Sequence, residues 1–207
     1  MRQPYDAGMA RDPEKSARRT ELRARRRAVA ATRDVATDGA RLADHVLGLL
    51  DDLGLGPESV VTSYVALAGE PPTAPLNAAL AAHGFRVLVP ITLPDFDLDW
   101  HDVGDTTASP LGPDAVALAD VVLAPGLAVD HRGTRMGQGG GCYDRTLPRR
   151  RPGTPVVVVL HPGELVDPAE ASLPRRPYDQ PVDAVVTADG VTDLGLSPWR
   201  RIPPAAG

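Results

Sequence analysis

Short apolar segments separated by helical patterns constrain the fold of this 207-residue chain more than any other feature. The clearest are VVLA at 121–124 and VVVVL at 156–160, which contain no polar side chain. A strand that is apolar on both sides must be covered on both faces, as happens in a parallel sheet packed between helices. We therefore predict an α/β fold, with an open, mostly parallel sheet in a three-layer α/β/α domain.

The rest of the sequence predicts four helices and further strands. Asp12 is a good N-cap and Pro13 suits the first position of a helix, so the first helix is predicted to begin there. Glycine-rich residues 126–141 and proline-rich residues 168–181 are predicted loops. The predicted helices cover 12–32, 38–53, 75–83 and 142–151, and the predicted strands cover 59–65, 86–90, 96–101, 121–124, 156–160 and 184–187.

Length and composition fit one domain. We predict a flexible leader at 1–11, a single domain at 12–202 and a frayed tail at 203–207. The longest aliphatic run has five residues, whereas a membrane-spanning helix needs about 20, and no secretory signal is recognisable. The single cysteine, Cys142, excludes an internal disulfide and a multi-cysteine zinc site. These features predict a cytoplasmic monomer without a membrane partner.

Charge is spread unevenly along the chain, whose net charge is −5. Residues 11–33 carry nine basic side chains against three acidic ones, and they include the only lysine, Lys15. A basic helix on an acidic body is compatible with nucleic-acid binding, with a polyanionic small ligand across a cleft, or with a solvated face. The acidic body and the eight aromatic residues argue against a dedicated nucleic-acid binder, and we predict none.

The densest feature is APGLAVDHRGTRMGQGGGCYDRTL at 124–147, which follows a buried strand and opens a helix. Its glycines allow the backbone to approach a ligand closely, and backbone N–H groups beside Arg135 and Arg145 predict an anion site. The stretch lacks the Gly-Lys-Ser/Thr end of a Walker A loop. Cys142 stands where a dinucleotide-binding fingerprint has its third glycine.

This stretch closely resembles the signature of the 5-formyltetrahydrofolate cyclo-ligase family, also called 5,10-methenyltetrahydrofolate synthetases. The family has a strand ending in Pro-Gly or Pro-Ala, then Phe-Asp, then Gly-x-Arg-Leu-Gly-x-Gly-x-Gly-Tyr-Tyr-Asp-Arg. The matching residues here are Pro125-Gly126, Val129-Asp130 and GTRMGQGGGCYDR at 133–145. Segments that match elsewhere, in the family's order, are Lys15–Arg19, Tyr64, Glu70–Thr73, RVLVP ending at Pro90, Pro174, Tyr178-Asp179 and Val182-Asp183.

The resemblance implies a NagB/RpiA-like fold and a defined reaction. Family members convert 5-formyltetrahydrofolate and ATP, with Mg²⁺, to 5,10-methenyltetrahydrofolate, ADP and phosphate. The formyl oxygen attacks the γ-phosphate, N10 closes the ring, and phosphate leaves. This chemistry requires positive charge and a metal around the phosphoryl group more than it requires a protein nucleophile.

The resemblance also assigns candidate residues. Lys15 and Arg19 are four residues apart on one helix, so they face the same way, and aspartate oxygens suit Mg²⁺. The implied sets are Lys15, Arg19 and Arg135 for catalysis; these three with Gly137, Gly139, Gly140, Gly141 and Tyr143 for ATP; Val65, Glu70, Gln138 and Cys142 for the folate; and Asp144 and Asp179 for Mg²⁺.

Departures from the family pattern concern the substrate contacts. Cys142 replaces an aromatic residue, Tyr178 replaces a histidine, and Gln138 stands where arginine or an aromatic residue is common. The segment 104–113 looks shortened and lacks a Glu-Pro pair. Two alternatives therefore stay open: a relative that uses ATP and Mg²⁺ on another substrate, and a non-enzymatic nucleotide- or RNA-binding protein that uses the basic helix.

Overall fold

A computed structural model describes residues 12–196, so the predicted leader and the 203–207 tail lie outside the described residues. The helices are α1 (Pro13–Ala30), α2 (Val35–Asp52), α3 (Ala74–Ala82) and α4 (Cys142–Thr146), with 3₁₀ turns at Pro113–Leu118 and Leu147–Arg149. The strands are β1 (Val60–Thr62), β2 (Arg86–Thr92), β3 (Leu98–Asp102), β4 (Val121–Pro125), β5 (Ala128–Val129), β6 (Arg135–Met136), β7 (Val156–Val159), β8 (Ala184–Thr187) and β9 (Gly190–Asp193).

Seven strands form one sheet in the order β3-β2-β1-β4-β7-β8-β9. The five inner strands are parallel to one another. At the two edges, β3 is antiparallel to β2 and β9 is antiparallel to β8. The central strands β4 and β7 are almost entirely buried, as their apolar sequences require. The predicted α/β fold with a mostly parallel sheet is confirmed.

Packed layers cover both faces of this sheet. One face packs against α2 and α3 through a core that includes Leu42, Leu50 and Leu80. The other face packs against the 3₁₀ turn at Pro113–Leu118 and α4, with Trp100 and Leu147 in that core. Because each layer closes one side, polar groups that bind ligands must lie at the strand ends.

Helix α1 begins as the sequence predicts and packs outside these two layers. The Asp12 carboxylate accepts hydrogen bonds from the backbone N–H groups of Glu14 and Lys15, which caps the helix. Leu22 packs with Met136, Leu127 and Val166, so α1 lies on segments that follow β4 and β7. None of the helices described between residues 12 and 196 is long and apolar enough to cross a membrane.

Four short elements depart from the sequence prediction. Strands β5 and β6 pair as an antiparallel hairpin inside the predicted loop at 126–141, and β9 pairs with β8. The predicted helix at 142–151 ends at Thr146 and continues as a 3₁₀ turn, because Pro148 has no backbone N–H to continue the α-helical pattern.

Candidate functional site

A cavity of about 310 Å³ opens at the carboxyl ends of β1, β2 and β4, beside α1. This is the expected position for a ligand site in a parallel sheet. All fourteen site residues predicted from the sequence line it. They are Lys15, Arg19, Val65, Glu70, Arg135, Gly137, Gln138, Gly139, Gly140, Gly141, Cys142, Tyr143, Asp144 and Asp179.

Lys15 lies at one end of the cavity in a buried ion pair. Its Nζ is 2.6 Å from Oδ1 of Asp179, and only 7% of the lysine side chain and 5% of the aspartate side chain are exposed. The backbone N–H of Arg176 donates to Oδ2 of Asp179 at 2.6 Å, which fixes the carboxylate. The ammonium group also lies 5.2 Å from the centre of the Tyr178 ring. A cation is therefore held in place at the cavity wall before any ligand binds.

Two arginines of α1 hold the GQGGG segment, residues 137–141. Arg19 Nε donates to the Gly137 carbonyl at 3.1 Å, and Arg23 Nη2 donates to the Gln138 carbonyl at 2.7 Å. From the other side, Arg145 Nη1 donates to the Gly140 carbonyl at 2.8 Å. Arg145 thus shapes the loop and does not line the cavity, although the sequence suggested it as an anion ligand.

The backbone of the GQGGG segment is open toward ligands. Among residues 12–196, no hydrogen bond uses the backbone N–H groups of 137–141 as donors. Gly141 has a φ of +71°, which favours glycine, and a Cβ on Gly137 would lie 2.7 Å from Nη1 of Arg135. These free N–H groups lie beside Arg19 and Arg135, which line the same cavity. Together they form a site suited to an anion.

Arg135 and Asp144 form the opposite wall of the site. Arg135 Nη2 donates to Oδ1 of Asp144 at 3.1 Å, and its guanidinium carbon lies 5.5 Å from the centre of the Tyr143 ring. Arg135 is buried, so its charge acts in a region with little solvent screening. Lys15, Arg19 and Arg135 outnumber the carboxylates of Asp144 and Asp179, so this part of the cavity has a net positive charge.

Two aspartates, Asp144 and Asp179, line the cavity and suit a hard cation. The described hydrogen bonds to Asp144 end on Oδ1, and 23% of its side chain is exposed, whereas both oxygens of Asp179 face Lys15. No group of three His, Cys, Asp or Glu side chains in the described range could hold a metal by itself. This donor set fits Mg²⁺, which keeps several waters and binds through one or two carboxylates plus phosphate.

The other half of the cavity is less charged. Glu70 Oε2 accepts from the backbone N–H of Leu67 at 3.0 Å, which holds the carboxylate at the turn after β1. Val65 and Leu67 are exposed at the mouth, so an aromatic ligand ring has apolar surface to contact. Partial burial raises the pKa of the Cys142 thiol, so that side chain is a neutral contact at neutral pH.

Nine lining residues were not among the predicted site residues. Five of them lie on or within two residues of β1, β2 or β4, so the rule that ligands bind at strand ends points to those five. The nine are Tyr64, Leu67, Pro90, Thr92, Leu98, Pro125, Gly126, Met136 and Tyr178.

Comparisons with known proteins show the family of this chain. The 5-formyltetrahydrofolate cyclo-ligase family model matches residues 11–188. A Mycolicibacterium smegmatis protein named 5-formyltetrahydrofolate cyclo-ligase is 32% identical over 191 residues, which are 84% of this chain and 93% of that protein. The Escherichia coli K12 protein of the same name is 32% identical over 147 residues, which are 63% of this chain and 79% of that one.

Solved structures give the same fold. A 5,10-methenyltetrahydrofolate synthetase from Mycoplasma pneumoniae superimposes with a TM-score of 0.67 at 17% identity, covering 84% of this chain and 99% of that one. The Aquifex aeolicus protein of that name gives a TM-score of 0.64 at 22% identity, covering 88% and 94%. The resemblance read from residues 125–145 is confirmed by the family model, which matches residues 11–188, and the solved structures confirm the fold.

Proposed function

Since this chain belongs to the 5-formyltetrahydrofolate cyclo-ligase family, we propose that it converts 5-formyltetrahydrofolate to 5,10-methenyltetrahydrofolate in a reaction that consumes ATP and requires Mg²⁺. The observation that supports this most is the meeting of all fourteen predicted residues in one cavity. That cavity has a positive half, at Lys15, Arg19 and Arg135, and a less charged half at Val65 and Glu70.

The positive half suits the triphosphate of ATP. Lys15, Arg19 and Arg135 supply three cations, and the N–H groups of the GQGGG segment supply donors without added charge. Phosphoryl transfer depends on positioning and on stabilising the charge of the transferred group, and this set of groups does both. Tyr143 stacks under Arg135 and keeps that guanidinium in place.

Asp144 and Asp179 are the residues that would hold Mg²⁺. When bound, the metal would neutralise phosphate oxygens and orient the γ-phosphate. Asp144 is the more accessible ligand, and Asp179 would serve both the metal and Lys15.

The reaction on this site needs no protein nucleophile. The formyl oxygen of the substrate attacks the γ-phosphorus and ADP leaves, which gives an O-phosphorylated iminium group at N5. N10 then attacks the formyl carbon and loses its proton to solvent, and phosphate departs with the original formyl oxygen. Lys15, Arg19 and Arg135 stabilise the charge that moves between these groups, while Val65, Glu70, Gln138 and Cys142 hold the folate.

We further propose that the protein acts as a cytoplasmic monomer on these small molecules, without nucleic acid.

A second candidate keeps ATP and Mg²⁺ but acts on a different acylated amine. Cys142 and Tyr178 line the cavity at positions where the family pattern has other residues, and both changes lie among substrate contacts. An RNA-binding role for α1 has less support, because Arg18 and Arg25 pair with Glu170 and Arg26 pairs with Glu164.

The test is absorbance at the methenyl-folate band with purified protein, 5-formyltetrahydrofolate and Mg²⁺, with and without ATP. We expect an ATP-dependent rise that is matched by ADP release. Arg19→Gln should slow it by at least tenfold, whereas Arg25→Gln, at an exposed position of α1 that does not line the cavity, should leave it unchanged. ATP binding without any absorbance rise would contradict the proposal and favour the second candidate.

A further inference from the structure

Two tyrosines that line the cavity carry buried hydroxyls with no hydrogen-bond partner among the described residues. Tyr64 and Tyr143 are 3% and 6% exposed, and both line the cavity. Neither hydroxyl, nor the nearby Nε of Arg135, finds a partner among the described residues. Buried polar groups are almost always paired in folded proteins, because leaving one unpaired costs free energy. These groups therefore indicate a ligand atom that accepts hydrogen bonds.

Tyr64 is held firmly in this position. Its backbone carbonyl accepts from Oγ1 of Thr73 at 2.7 Å and from Nδ2 of Asn77 at 3.1 Å. Its ring packs in the core between the sheet and α2 and α3. The hydroxyl thus cannot turn away to find solvent, and its orientation is set before a ligand arrives.

The charge around these hydroxyls makes them donors. Burial raises the pKa of Tyr64 and of Tyr143. The Glu70 carboxylate raises the pKa of Tyr64 further, whereas Arg135 acts against burial at Tyr143 and partly offsets the rise in its pKa. Both therefore stay protonated throughout the physiological range. Glu70 adds an acceptor beside these donors, so a ligand that carries both N–H groups and an acceptor oxygen matches the three residues better than phosphate, which offers acceptors alone.

A carboxylate acceptor next to two hydroxyl donors has a complementary ligand. A 2-amino-4-oxopyrimidine ring presents N–H donors at its 2-amino group and N3, and an acceptor at its 4-oxo oxygen. We infer that Tyr64, together with Tyr143, donates to the 4-oxo oxygen of the bound pterin while Glu70 accepts from its N–H edge. The inference rests on the proposed function, and it assigns Tyr64 as a residue that determines substrate specificity.

The inference predicts opposite effects of Tyr64→Phe on stability and on binding. In the ligand-free protein, the change removes an unpaired buried hydroxyl, so the Tm should be equal or higher. The Kd for 5-formyltetrahydrofolate should rise about tenfold, which is the size of a lost hydrogen bond to a buried group. The Kd for ATP should stay within about twofold. Calorimetric titration and thermal unfolding give all three quantities.

A matched control is Thr62→Val. It removes another buried, unpartnered hydroxyl two residues earlier, which does not line the cavity, and it should leave both Kd values unchanged. Aminopterin and folic acid, which differ at position 4 of the pterin, provide a second comparison. Tyr64→Phe should weaken folic acid about tenfold and aminopterin by less than about twofold.

Three results would overturn the inference. An unchanged Kd for 5-formyltetrahydrofolate in Tyr64→Phe would show that the Tyr64 hydroxyl does not bind the pterin, and the proposed function would still stand. Equal weakening of folic acid and aminopterin would mean that the residue acts through packing. A wild-type protein that binds ATP but no pterin would overturn both this inference and the proposed function.

Discussion

The Lys15–Asp179 pair combines a structural contact with a proposed ligand contact. Both side chains are buried and face each other, so each compensates the charge of the other. A phosphate that binds near Lys15 would share the ammonium group with Asp179. Lys15 therefore influences both the stability of the fold and the affinity for ATP, and a single substitution of Lys15 changes the two together.

A double substitution separates these effects. We expect Lys15→Met to lower the unfolding free energy by about 3 kcal/mol, because it leaves Asp179 buried and unpaired, and to weaken ATP binding strongly. Adding Asp179→Asn should recover most of the stability without restoring ATP binding. Urea unfolding and calorimetric ATP titration measure the two quantities. A double variant that binds ATP as tightly as the wild type would refute the ligand role of Lys15.

Part of this residue-level arrangement was predictable. The spacing of Lys15 and Arg19 on one helix placed both at the same cavity, as the structure has them. The contact of Lys15 with Asp179 joins residues 164 positions apart, and no local pattern reports such a pair. The same holds for Arg26 and Glu164, a buried pair whose partners come from α1 and the loop after β7.

At the scale of elements, α1 acts as a support for the GQGGG segment. Its basic residues at positions 15, 19 and 23 follow one face of the helix, and two of them donate to carbonyls of that segment. Holding the carbonyls outward leaves the N–H groups of the loop available to a ligand. The positive charge of α1, which the sequence left open to three interpretations, is thus used largely within the fold.

A substitution of Arg23 tests whether α1 supports the GQGGG segment, because Arg23 holds that segment without lining the cavity. We expect Arg23→Ala to weaken ATP binding about threefold to tenfold, since a loop that must be ordered on binding lowers affinity. The unfolding free energy should change by no more than about 1 kcal/mol, because the contact is exposed. Arg25→Ala, which removes only an exposed pair with Glu170, is the matched control. Equal ATP affinities in both variants would contradict the support role.

Long elements were predictable and short ones were not. Helix α1 is indicated by its N-cap Asp12 and by Pro13, α2 by apolar residues at helical spacing, and β4 and β7 by continuous apolar runs, so their signals are strong. Strands β5 and β6 have two residues each, too few for any alternation to be visible. They are fixed instead by tertiary contacts, such as the hydrogen bonds that Asp130 accepts from Thr134 and Leu173.

At the scale of the whole molecule, distant parts of the chain meet at one end of one sheet. The cavity draws on α1, the turn after β1, the ends of β2 and β4, the GQGGG segment and the loop before β8. A cavity with a positive half next to a less charged half can hold two different ligands side by side. The account therefore predicts direct transfer from ATP to the folate, with no intermediate carried by the protein.

The most direct test follows the formyl oxygen. Substrate labelled with ¹⁸O at the formyl group is incubated with ATP, Mg²⁺ and the protein, and the released phosphate is analysed by mass spectrometry. Attack of the formyl oxygen on the γ-phosphorus predicts one ¹⁸O atom in each phosphate and none in ADP. Unlabelled phosphate, formed at the same rate as methenyltetrahydrofolate, would contradict the proposed chemistry of this site.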